Sequence, residues 1–215
     1  MTSGDICYIR QGRYHETISI NDLDGASGAP VIFTNYNNER VVIDGTIPIS
    51  STWTQVGSSN LWRTKLTQDI WQLFIDWEEQ VMARWPNAKF NNGTIWDNDN
   101  YWAKGTIDDD ENAYSNGSII DAPYTNSAGT LISLSSTGFD LDETNKQAIA
   151  ILNLGSFRTW SRIVTSHSSN TFNYATVPSW KTKHHYYYLE GRKEFLDQEG
   201  EWWYDTYNNN DSLYY

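Results

Sequence analysis

Strand-length runs, broken every few residues by Gly, Asn, Asp and Ser, leave this chain almost no room for helices. "ICYIR", "YHETISI", "PVIFTNY", "RVVIDG", "LWRTKL" and "WQLFIDWEEQVMARW" follow in quick order, and "SIIDA", "TLISL", "AIAILNL", "TWSRIVTSH", "HHYYYLEG" and "EWWYD" continue the pattern. The best helix candidate is "DLDETNKQA", Asp140 to Ala148. It has acidic residues in its first turn and a lysine near its end, as the helix dipole favours. The expected fold class is all-β.

From Gly4 to Gly45 the strands are very short, and several are apolar without strict alternation, as in strands covered on both faces or stacked in a solenoid. The turn "NDLDGASGAP" offers Gly25 and Gly28 for positive φ and Pro30 to open the next strand. "NYNNER" carries the chain around an Asn-rich corner, where Asn tolerates the left-handed region and caps backbone groups. From residue 90 to residue 127 the chain turns polar, acidic and rich in Asn and Gly. That segment reads as a loop-rich insertion on a regular scaffold, within one domain spanning residues 1–215.

A formal charge of −12 over 215 residues argues against nucleic acid, whose phosphates need clustered Lys and Arg, and against an anionic membrane surface. A polyanionic substrate would need a local basic patch or a metal. No apolar run approaches the roughly 18 residues of a membrane span. "MTSGDICYIRQG" lacks a signal-peptide hydrophobic region, so the expected location is cytosolic, or secreted or periplasmic if a leader has been removed. Cys7 stands alone, which excludes an internal disulfide and a cysteine zinc site; it reads as a buried structural thiol. The unusual quantity is 11 Trp, 14 Tyr and 7 Phe. A Trp or Tyr face beside Asp, Asn and His suits a sugar ring, with its C–H face and hydroxyl rim; aromatic filling of β-sheets is the alternative.

The stretch "GDICYIRQGRYHETISINDLDGASGAPVIFTNYNNERVVIDG" resembles the first coils of right-handed parallel β-helix proteins that act on polysaccharides. The matching positions are Gly4, Asp5, Gly12, Tyr14, Gly28, Pro30, Val41, Val42, Ile43 and Gly45. "QLFIDWEEQVMARWPN" and "YYLEGRKEFLDQEGEWWYD" are similar to later phrases of glycoside hydrolase relatives of that fold. The resemblance implies a short or truncated right-handed parallel β-helix carrying a β/loop insertion. Such enzymes usually run to several hundred residues with their catalytic carboxylates on middle coils, so it carries over scaffold residues better than catalytic ones.

Candidate chemistry gathers in the tail, where Asp197, Glu199, Glu201 and Asp205 lie close together. Two carboxylates about 5–5.5 Å apart suit a retaining glycosidase, and about 6.5–9.5 Å an inverting one. Asp197, Glu201 and Asp205 are the catalytic candidates, with Trp202 and Trp203 to raise the acid's pKa or to meet a sugar. A turn with solvated carboxylates and a Trp in the core is the alternative. His184 and His185 point to opposite faces of a strand, each a candidate sugar contact. Arg84 and Trp85, in "ARWPN", would hold a uronate, or else a structural carboxylate. Asp97 and Asp99, with Asp108 and Asp110 in the next acidic loop, offer oxygens for calcium, though without EF-hand spacing. No Walker loop, G-x-G-x-x-G, G-x-S-x-G or H-E-x-x-H occurs.

The expected function is cleavage of glycosidic bonds in a plant or algal polysaccharide, by hydrolysis rather than elimination. The alternative is a non-catalytic carbohydrate-binding or structural piece. The expected partner is a polysaccharide or oligosaccharide, with no cofactor beyond calcium, and with self-association through the aromatic tail acting as a cap on an exposed coil end.

Overall fold

The computed structural model describes residues 1–107, 117–155, 158–178, 182–207 and 211–215. The chain forms two compact units, Met1–Ser50 and Ser51–Tyr215, and both are β-structures.

In Met1–Ser50, strands β1 (Ile6–Ile9) and β3 (Ile32–Asn35) pair in parallel with Ile6 opposite Ile32. Strands β2 (Gly12–Tyr14) and β4 (Val41–Ile43) pair in parallel with Gly12 opposite Val41. One pass of the chain therefore lies along the previous one. The corner in "NYNNER" is left-handed, with Asn37 at φ 47° and Asn38 at φ 57°. The Asn35 side-chain amide donates to the Glu39 carbonyl at 2.8 Å. The Glu39 carboxylate takes the Arg10 guanidinium and the Gln11 amide, which ties this corner to the one between β1 and β2. Cys7 is only half-buried, because two paired strands cannot cover both faces of β1.

In Ser51–Tyr215 the pairing is mostly antiparallel, unlike stacked coils. The larger sheet has the order β10–β17–β14–β15–β16–β11, with β9 also on β17. Its strands are β9 (Arg84–Trp85), β10 (Ala103–Lys104), β11 (Ser118–Ile120), β14 (Ile149–Asn153), β15 (Thr159–Ser168), β16 (Thr171–Tyr174) and β17 (Tyr186–Glu190). Short connections dictate this: a tight turn returns the chain antiparallel, whereas parallel neighbours need a long crossover. Ser169 at φ 56° makes such a turn between β15 and β16. Period-two alternation decides the faces. Ala150 pairs with Leu189 and Leu152 with Tyr187 on the buried face, and Val164 and Phe172 continue that core.

The second sheet has the order β5–β6–β19–β18–β8–β7. It comprises β5 (Thr54–Gln55), β6 (Trp62–Lys65), β7 (Leu73–Ile75), β8 (Glu78–Met82), β18 (Glu201–Asp205) and β19 (Ser212–Tyr214). Only β8 and β18 pair in parallel within it. The tail strands β18 and β19 lie inside this sheet, with a ladder on each side, rather than at a bare end.

Asp140–Ala148 forms turns instead of the expected helix. Asn145 sits at φ 64°, and the Ala148 amide reaches back to the Leu141 carbonyl at 2.8 Å. Leu141 and Ala148 are both in the core, and this bonded turn holds them closer than the roughly 10 Å of rise that seven helical residues would put between them. The one described α-helix is α1 (Asn98–Tyr101), and no described helix is long and apolar enough to cross a membrane. Within residues 90–127, β10 joins β17 and β11 joins β16 at the two edges of the larger sheet. A smaller pair, β12 (Tyr124–Thr125) with β13 (Leu131–Ile132), follows.

Gly105 continues β10 against His185. A Cβ there would lie 2.6 Å from the His185 Cβ and 2.8 Å from its Nδ1. Gly105→Ala is expected to destabilise the fold by about 1–3 kcal/mol, the usual cost of overpacking. Urea denaturation monitored by tryptophan fluorescence would check this; an unchanged midpoint would mean that the strand yields freely.

Candidate functional site

Arg84, on β9, is buried and engaged with the protein itself. Its Nε donates to the Pro86 carbonyl and its Nη2 to the Tyr101 carbonyl, each at 2.9 Å. The guanidinium carbon lies 3.7 Å from the centroid of the Tyr188 ring. Desolvation pulls its pKa down to about 10 against the stabilising charges of Tyr188, Glu190 and Glu201. Glu190 pairs with Arg84 across β9 and β17, and burial pushes its carboxyl up to about 7 despite the nearby Arg84 charge. Trp85 packs edge-on to Phe139, with centroids 6.3 Å apart. Sequence reasoning overlooked Glu190; its signal was a carboxylate closing the apolar run "YYYLE".

The three tail carboxylates sit in different surroundings. Glu201 is 2% exposed, and its Oε2 accepts from the backbone amides of Asp197 and Gln198 at 3.2 and 3.1 Å. Burial pushes its carboxyl up to about 7, against the pull of those amides. Oε1 is buried and makes no hydrogen bond of ordinary geometry among the described residues. Asp197 is exposed and accepts from the Asn87 side chain at 2.8 Å. Asp205 accepts from the Tyr207 amide at 3.0 Å. Trp202 and Trp203 are both buried; their indoles donate to the Gln80 and Gly191 carbonyls at 3.0 and 3.2 Å. Of the adjacent histidines, His184 stacks on Tyr186 with centroids 4.5 Å apart and its Nε2 lies 2.8 Å from the Asn153 side-chain oxygen. His185 turns inward and is buried.

Asp97 caps α1, accepting from the Asn100 amide and side chain, and Asp99 lies in the first turn of that helix. Asp108 and Asp110 lie outside the described residues. Among the described residues no three His, Cys, Asp or Glu side chains gather as a metal cluster.

An open cleft of about 530 Å³ lies in Ser51–Tyr215. Trp203 and Tyr214, both largely buried, form its floor, and Tyr207 and Asp205 stand beside them. Lys65, Lys146, Arg192 and Lys193 line it as well, with Glu194. This is a concentration of positive charge on a chain of net charge −12. Arg192 organises it. Its guanidinium bridges Glu143 at 2.9 Å and Glu194 at 2.8 Å and donates to the Lys146 carbonyl. Burial opposes the Arg192 charge, but Glu194 and Glu143 outweigh it and hold the pKa above the ordinary value. Lys146 bridges Glu143 at 2.9 Å. The Lys193 ammonium sits 5.1 Å from the centroid of the Tyr214 ring, within cation–π range. Of the residues singled out from sequence, Trp203 and Asp205 reach this cleft. Lys65, Lys146, Arg192, Lys193 and Tyr207 were missed, because they are far apart in the chain or read as ordinary solvated charges.

No family model matches the chain. "Uncharacterized protein YwoF" of Bacillus subtilis (strain 168) is 46% identical over 43 residues, which is 20% of this chain and 9% of that protein. A solved structure titled "Glycoside hydrolase" is similar over 100% of this chain, with a TM-score of 0.62 and 17% sequence identity. The chain covers 36% of that structure. The likeness is one of fold.

Two outcomes follow. Trp202→Ala and Trp203→Ala are each expected to cost about 3–5 kcal/mol, the range for deleting a buried large aromatic; denaturant midpoints would read this, and a double variant as stable as the parent would contradict it. Glu201 carries a folded pKa of about 7 against an ordinary value of 4.5. Its protonated form therefore contributes stability that is fully present below about pH 4.5 and is lost as pH rises through about 7. Glu201→Gln stays uncharged, so its melting temperature should fall less steeply than the parent's across that window. Equal slopes would mean that Glu201 stays ionised in the fold.

Proposed function

We propose that this chain is a carbohydrate-active protein that holds a polysaccharide segment in the cleft floored by Trp203 and Tyr214. The observation that carries the reading is the cleft itself, with aromatic rings, carboxylates and hydrogen-bonding cations converging in one concavity. Large pockets with a few convergent polar groups are the usual place for ligands. Support also comes from the likeness in fold, over 100% of this chain and 36% of the other, to a protein titled glycoside hydrolase. The parallel pairing of β1 with β3 and of β2 with β4 supports reading Met1–Ser50 as the opening coils of a right-handed parallel β-helix.

The proposed reaction is hydrolysis of a glycosidic bond, with Asp205 as one carboxylate at the cleft. Glu194 is the other carboxylate lining it, and its bridge to Arg192, which outweighs burial, holds its pKa below the ordinary value. That ionised state suits a base or nucleophile and not an acid. The surrounding Lys and Arg side chains favour a glycan bearing carboxylate or sulfate groups over a neutral one.

A second reading is binding without catalysis. It is favoured by the engagement of the tail carboxylates with the protein itself, since Glu201 is enclosed and Asp197 accepts from Asn87. Reducing-end release and pull-down on one panel of neutral and acidic polysaccharides separate the two. Hydrolysis predicts release that Asp205→Asn abolishes while binding persists. Binding alone predicts retention with no release from any substrate. A parent that shows no retention and no release on the whole panel would refute the carbohydrate reading.

A further inference from the structure

The β7–β8 hairpin carries a bulky residue where turn geometry calls for the smallest. Its register places Phe74 opposite Glu79 and Ile75 opposite Glu78, leaving Asp76 and Trp77 as the turn. Both have positive φ, 50° and 75°, the pattern of a type I′ turn. Asp tolerates that region because its short side chain bonds locally. Trp does not, and the second position of such a turn is ordinarily Gly. A residue held against its backbone preference points to function more than to folding.

The chemistry around the turn is consistent with one kind of ligand. Trp77 is 53% exposed, Phe74 42% and Trp71 82%. The Gln72 amide donates to the Glu79 carboxylate at 2.8 Å, which orients an acceptor on the residue facing Phe74. Exposed flat apolar rings and an oriented carboxylate on one hairpin suit a sugar, whose C–H face stacks and whose hydroxyls donate. None of these residues lines the cleft.

We propose that the tip of the β7–β8 hairpin is a second glycan-binding site, where Trp77 stacks on a sugar ring and Glu79 accepts from its hydroxyls. This rests on the carbohydrate reading above and adds a contact outside the cleft. The test uses the whole chain and the polysaccharide from the panel that the parent retains, with affinity electrophoresis and thermal melting read together. Trp77→Gly should melt at or above the parent, because Gly relieves the turn, while affinity falls about tenfold for the lost stacking. Trp77→Phe, which keeps a ring, should recover much of that affinity. Unchanged affinity in Trp77→Gly would overturn the hairpin site and leave the carbohydrate reading standing. A lower melting temperature in Trp77→Gly would also overturn it, by making Trp77 a packing residue. A parent that retains no polysaccharide would overturn both.

Discussion

One buried hydrogen bond ties together distant parts of the larger sheet. The Tyr187 hydroxyl donates to the Asp121 Oδ1 at 2.6 Å, and the other oxygen of that carboxylate accepts from the Leu134 amide at 2.9 Å. Tyr187 and Asp121 are both buried. A carboxylate taken out of water is tolerable only when its lone pairs are filled. Burial pushes both pKa values up, that of Tyr187 well above the ordinary value, so the hydroxyl remains a donor. The bond joins the segment after β11 to the centre of β17, and β17 pairs with β9, β10 and β14. Segments far apart in sequence are thereby held around one strand.

The same strand leads into the cleft. Beyond Glu190 the chain turns through Gly191, at φ 85°, and the Gly191 carbonyl accepts the Trp203 indole N–H. Arg192 and Lys193 follow at once, so a rigid strand delivers two cations to the rim while Trp203 on β18 supplies the floor. The turns that replace a helix at Asp140–Ala148 bring Glu143 and Lys146 to the same place. Site and fold meet in this segment: its ends bury Leu141 and Ala148, and between them it carries Glu143 and Lys146.

The buried acids belong to a different arrangement. Burial shifts Arg84, Glu190 and Glu201 within the packed region; the charges of both carboxylates act on Arg84, and the Arg84 charge acts back on Glu190. Raised carboxyl pKa values and an Arg held by backbone carbonyls are what desolvation produces in a structural network as well as in an active site. The hydrogen bonds favour the structural role for Arg84, whose donors are directed at the Pro86 and Tyr101 carbonyls.

Local chemistry made much of this legible in the sequence. Short runs between Gly and Asn clusters determined an all-β chain, and "NYNNER" a left-handed corner, because φ preferences belong to single residues. The parallel pairing of Met1–Ser50 was foreshadowed by strands too short and too apolar for a one-sided sheet. Trp203 and Asp205 were marked out by the crowding of rings and acids in the tail. Which strands became neighbours in Ser51–Tyr215 was decided by tertiary structure, because pairing depends on non-local contacts that alternation does not encode. The cleft was illegible for the same reason. Lys65, Lys146 and Lys193 are ordinary surface charges until β6, the bent segment after Leu141 and the turn after β17 bring them together. Glu201 and Trp202, adjacent in a strand and both legible as site candidates, were enclosed because neighbouring strands and packing close over β18, and burial is a property of the whole fold rather than of the residue.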